Sequence, residues 1–143
     1  MSQAEAAGEA GIDAMNRRLP PAVQTLGGRI ATFDPASRAV TMTFRAIPEF
    51  CHSKIIVQGG FITGMIDSAM AQAVLAECGT GTRVPTLEIK VSFISPGHPG
   101  ELVATGRIVH LGRSTAFLSG ELHQEGRLVA TATATARVYL AEG

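Results

Sequence analysis

The chain has no excess of either charge. Among its 143 residues, 12 Lys and Arg stand against 12 Asp and Glu, for a net charge of zero. No broad basic field is therefore available for nucleic acid or an anionic membrane, and neither partner is expected. Cysteine is scarce: Cys51 and Cys78 are the only two and have no CxxC spacing. They read as small buried hydrophobes in a reducing compartment. Long apolar runs are also missing, since none approaches the roughly 18 residues needed to span a bilayer. The opening MSQAEAAGEAG is acidic and lacks the basic and apolar regions of a secretory leader. A soluble, cytoplasmic protein is the expectation.

What is present suits one folded domain. Hydrophobic residues make up 45% of the chain and charged residues 17%, enough for an ordinary core. Residues 1 to 20 read as a flexible or short helical segment, frayed over the first 10 and stopped by Pro20-Pro21. Residues 21–143 are expected to form the domain. Pro21 opens a short turn through Leu26, ended by Gly27-Gly28. Gly28 to Phe33 and Ala39 to Ala46 then form a hairpin around Asp34-Pro35-Ala36-Ser37. Residues 47 to 58 read as an irregular loop.

Phe61 to Ala76 is the one long helical candidate, with Phe61, Met65, Ile66, Ala69, Met70, Ala73 and Val74 at helical spacing. Its many small residues make it slim, as a helix wrapped on more than one side would be. After it, Thr86 to Ile94 alternates Leu87, Ile89, Val91 and Phe93 with Glu88, Lys90 and Ser92. Three long strands follow, over residues 101–111, 114–124 and 128–140, joined by the tight turns Gly112-Arg113 and Glu125-Gly126. Short turns imply an antiparallel meander. The fold class is α+β, a curved antiparallel sheet around one long helix.

The chemistry gathers at VQGGFITGMID, residues 57–67. Gly59 and Gly60 open the helix, where backbone N–H groups are free and the dipole is positive. Glycine there allows close approach of a substrate carbonyl. Asp67 follows two turns later among apolar neighbours, where an unpartnered carboxylate is costly. It is read as a general base or nucleophile, against the alternative of a capping or ion-paired acid. His98, His110 and His123 have no HxH or HxxxH spacing, so no metal site is expected.

These residues resemble the hotdog-fold acyl-CoA thioesterases, in particular the phenylacetate-degradation (PaaI-like) branch. Their signature is His-Gly-Gly, six further residues, then an acid on the central helix. Gln58-Gly59-Gly60 and Asp67 hold those places, and the similarity continues through Thr86 to Pro96 and the Gly112-Arg113 turn. The resemblance implies a hotdog fold and hydrolysis of an acyl-CoA with no cofactor, coenzyme A being part of the substrate. It implies Gly59 as oxyanion donor, with the acid facing the Gly-Gly segment of a neighbouring subunit in a dimer or tetramer. Thr86 stands where the family often has a Ser or Thr that orients water. Gln58 replaces the usual His; it can donate a hydrogen bond but cannot shuttle a proton at neutral pH. His52 stands where many members have Asn, and is a candidate to position water or protonate the departing thiolate. Gly60 and Phe61 are expected at the substrate, and Arg113 and Arg83 at the coenzyme A phosphates.

Two other classes compete. A hotdog protein that binds acyl thioesters or another apolar ligand without turnover would retain the pocket and lose the rate. A hotdog hydratase or dehydratase generally needs a His with an acid in another arrangement, and no such pair is visible.

Overall fold

In the strand Ala39–Ala46 (β2), Val40, Met42, Phe44 and Ala46 are buried and alternate with more exposed Thr41, Thr43 and Arg45. That period of two lays one face of β2 on the core. The computed structural model describes residues 11–142; the expected fraying of residues 1 to 10 lies outside them.

Residues 11–16 are helical (α1), and Pro21–Thr25 forms a second short helix (α2). Met15, Leu19, Val23 and Leu26 join the same buried cluster as the rest of the chain. Asn16 fixes this segment to the strand Arg29–Asp34 (β1). Its amide donates to the Ile30 carbonyl at 3.0 Å and accepts from the Ile30 N–H at 2.8 Å. β1 and β2 pair as the expected hairpin. At the turn, Ser37 Oγ and the Ala36 N–H donate to the Asp34 carboxylate and hold its pKa below the usual carboxylate range.

The segment read as an irregular loop has structure of its own. Pro48–Phe50 is a 3-10 turn, and Cys51–Ser53 (β3) pairs with Ile56–Val57 (β4) in a small antiparallel hairpin. Strands this short carry too few residues for an alternation to show.

The long helix (α3) runs Gly59–Cys78, two residues further at each end than the periodicity marked. Gln58 caps it, Oε1 accepting the Gly60 N–H at 2.8 Å. Gly79, with φ 111°, ends it in a conformation L side chains rarely adopt. Between positions 61 and 76 every residue is buried or half-buried.

Four strands follow: Thr86–Phe93 (β5), Gly100–Leu111 (β6), Thr115–Gln124 (β7) and Arg127–Arg137 (β8). The six-stranded antiparallel sheet has the order β1-β2-β6-β7-β8-β5. β8 stops at Arg137, short of the expected Leu140; beyond it Tyr139 makes one isolated bridge to Arg83. The register slips between Thr86 and Glu88, so β5 does not present one continuous apolar face. Leu87 and Phe93 are 63% and 56% exposed, while Ile89 and Val91 are half-buried.

Helix and sheet touch through two glycines paired across β6 and β7, Gly106 and Gly120. A Cβ at Gly106 would lie 2.3 Å from the Ala69 carbonyl carbon and the Met70 nitrogen. One at Gly120 would lie 2.7 Å from Ile66 Cγ2. The backbone of α3 therefore rests directly on the strands, which places Asp67 at a fixed height over the sheet.

Candidate active site

Asp67 is half-buried and lies on the flank of α3, about 100° around the helix from Ile66. The slip at the start of β5 brings Thr86 opposite it. Thr86 Oγ1 donates to Asp67 Oδ1 at 2.7 Å, which leaves Oδ2 for another donor. Both residues line a cavity of about 690 Å³, walled also by Ser68, Ala71, Gln72 and Leu75 of α3 and by residues 82–85. Its remaining wall is the N-terminal segment, through Met15, Arg18, Pro20, Ala22 and Val23. Arg18 ties that wall across the cavity mouth, donating to Thr80 Oγ1 at 3.1 Å. No signal in the residues before position 20 marked them as part of a site.

Gly59 and His52 line a different cavity, of about 420 Å³, with Phe93 and the 94–97 turn. Among the described residues the Gly59 N–H has no acceptor, whereas the neighbouring Gly60 N–H is taken up by Gln58. The helix therefore opens on one free donor, beside a polar loop histidine. Gly59 and Asp67 are eight positions apart on α3, about 12 Å along the axis at 1.5 Å per residue. One chain does not bring the two halves of the motif to a common point.

The other expected site residues fall in different surroundings. Phe61 stacks on Phe50, ring centroids 4.3 Å apart and 8° from parallel. Gly60 is exposed, and a Cβ on it would meet the Gln58 side chain. Met65 and Met70 are fully buried in the core. Arg83 and Arg113 come together at a third cavity of about 530 Å³ with Tyr139, and the Arg83 guanidinium lies 4.8 Å from the centre of the Tyr139 ring. His98 is structural: its backbone and ring are held by Gln124 Oε1 and the Ile55 carbonyl, each at 2.8 Å. Both cysteines are free and partly buried. Burial, assisted by the Glu77 charge, pushes the Cys78 thiol up, which does not suit a thiolate nucleophile. Among the described residues no group of three or more His, Cys, Asp and Glu gathers as for a metal ion, and no helix is long and apolar enough to cross a membrane.

One long helix laid on a curved antiparallel sheet defines the hotdog fold. The chain belongs to the thioesterase superfamily, whose family model matches residues 56–131. It is similar to the phenylacetic acid degradation-related protein of Ralstonia eutropha JMP134, with 34% identity, 88% of this chain and 98% of that one covered, and a TM-score of 0.82. The PaaI protein from the phenylacetic acid degradation operon of E. coli shares the fold at 21% identity, covering 92% of this chain and 93% of that one, TM-score 0.78. A thioesterase of Haemophilus influenzae does so at 19% identity, 90% of each chain covered and TM-score 0.80. No curated protein matches the sequence.

Proposed function

We propose that this thioesterase hydrolyses an acyl-CoA to the free acid and coenzyme A, with Asp67 activating the water. The observation that carries this reading is the Thr86–Asp67 hydrogen bond at the wall of a cavity large enough for a small ligand. Thr86 holds one carboxylate oxygen, which leaves the other to accept a proton from a water. As that water attacks the thioester carbon, its proton passes to Asp67 and the carbonyl oxygen becomes an oxyanion. The free Gly59 N–H, at the positive end of a 20-residue helix, stabilises that charge. Collapse breaks the C–S bond, and the thiolate leaves with a proton from Asp67 or from His52. Gln58 keeps the Gly60 N–H occupied and orients the segment. No metal or redox group takes part in these steps.

The roughly 12 Å between Gly59 and Asp67 supports a site assembled from two copies, the glycine of one facing the acid of the other. β5 is an edge strand, and its Leu87 and Phe93, with Ile94 beyond it, are more than half exposed, as suits self-association into a dimer or tetramer. Arg113 and Arg83, gathered at one cavity, are the proposed phosphate contacts. Release of free thiol from a panel of acyl-CoAs tests the reading. Tight acyl-CoA binding without release would assign the fold to a binding protein instead. A His52→Ala variant with unchanged rate and pH profile would remove His52 from the mechanism.

A further inference from the structure

Gln72 is only 6% exposed, yet its amide has no hydrogen-bond partner among the described residues. The amide is not sealed in the core either: of the buried side-chain polar atoms among the described residues, only Thr82 Oγ1 is both enclosed and unpartnered. What access Gln72 retains opens on the Asp67 cavity, which it lines. Water in the cavity can pair with this amide; a ligand that displaces that water without replacing its hydrogen bonds leaves the amide unpaired, at a cost of about 1–3 kcal/mol. The cavity's two arginines are otherwise engaged, Arg18 with Thr80 and Arg83 over the Tyr139 ring. Apolar side chains of Met15, Val23, Leu75 and Val84 line the same cavity.

Gln72 stands five positions beyond Asp67 on α3, about 7.5 Å further along the axis and about 140° around it, and both line the one cavity. A thioester reacting at Asp67 and directing a short acyl chain through that cavity therefore brings its far end toward this amide. We infer that Gln72 hydrogen-bonds a hydroxyl or carbonyl group at the distal end of the acyl chain, so that the preferred substrates are short, polar-ended acyl thioesters. This rests on the proposed hydrolysis at Asp67. A carboxamide both donates and accepts, so it accommodates either group. A purely hydrocarbon chain buries the amide without a partner and is disfavoured.

The test compares hexanoyl-CoA with ω-hydroxyhexanoyl-CoA, by thiol release from the full-length protein. The wild type is expected to favour the hydroxylated substrate by about tenfold or more in kcat/KM, the worth of one good buried hydrogen bond. In Gln72→Leu the preference falls to about one or reverses, whatever the absolute rates. A merely structural role for Gln72 would lower both rates together and leave the ratio unchanged. Equal rates on the two substrates in the wild type overturn the inference while leaving the hydrolase reading intact, whether or not the variant folds. An unchanged ratio in a folded Gln72→Leu protein overturns the assignment to Gln72. Absence of thiol release from every acyl-CoA overturns the hydrolase reading and this inference with it.

Discussion

Thr86 Oγ1 donates to Asp67 Oδ1 across 2.7 Å, joining the first residue of an edge strand to the middle of the central helix. The bond engages Asp67 Oδ1 and leaves Oδ2 open to another donor. Thr86→Val, close in shape but without the hydroxyl, is expected to lower kcat by about tenfold to a hundredfold with little change in KM. Thr86→Ser retains most of the rate. Steady-state kinetics on one acyl-CoA distinguishes the two variants, and a Thr86→Val enzyme as fast as wild type would remove Thr86 from the mechanism.

The contact between α3 and the sheet makes a separate prediction about stability. At Gly106 the nearest atoms to an added Cβ are backbone, at 2.3 Å, and cannot swing aside as a side chain tip would. Gly106→Ala is expected to lose about 3 kcal/mol or more, or not to fold. Gly126→Ala, in a turn with nothing within 4 Å of the added carbon but φ 77°, loses only about 1 kcal/mol. Urea unfolding of the pair shows whether the helix rests on the strands as described.

Thr82 Oγ1 is enclosed and has no hydrogen-bond partner among the described residues. Replacing it by a methyl removes the cost of an unsatisfied buried hydroxyl. Thr82→Val should therefore raise the midpoint of thermal unfolding by a few degrees. A lowered midpoint would mean that the hydroxyl has a partner in solution.

The N-terminal helix cap has a structural side that can be separated from catalysis. Gln58→Ala removes the acceptor for the Gly60 N–H and is expected to cost about 1 kcal/mol of stability. Gln58→Asp keeps an acceptor at the cap and recovers that stability. If both variants hydrolyse thioesters at the wild-type rate, Gln58 is a cap alone.

Much of this architecture is legible in the residues. The alternation of Val40, Met42 and Phe44, the turn at Glu125-Gly126 and the apolar spacing from Phe61 to Val74 each mark an element found close to its expected bounds. Asp67 and Thr86 were marked separately, by an acid among apolar neighbours and by a resemblance. Their hydrogen bond was not legible, because it depends on a register slip in β5. Gly106 and Gly120 gave no sign, since a glycine inside a strand does not say what lies above it. The stacking of Phe61 on Phe50 is not legible either, since apolar character does not say which ring a side chain meets. Met15, Arg18 and Gln72 reach the Asp67 cavity only through the fold, because long-range packing carries no local pattern.

The account depends most on Asp67. Thiol release from acyl-CoA by the wild type and by Asp67→Asn, both shown to be folded, is its most direct test. The expected result is measurable hydrolysis that falls at least about a hundredfold in the variant, with binding of the substrate retained. Hydrolysis that survives undiminished in Asp67→Asn would contradict it.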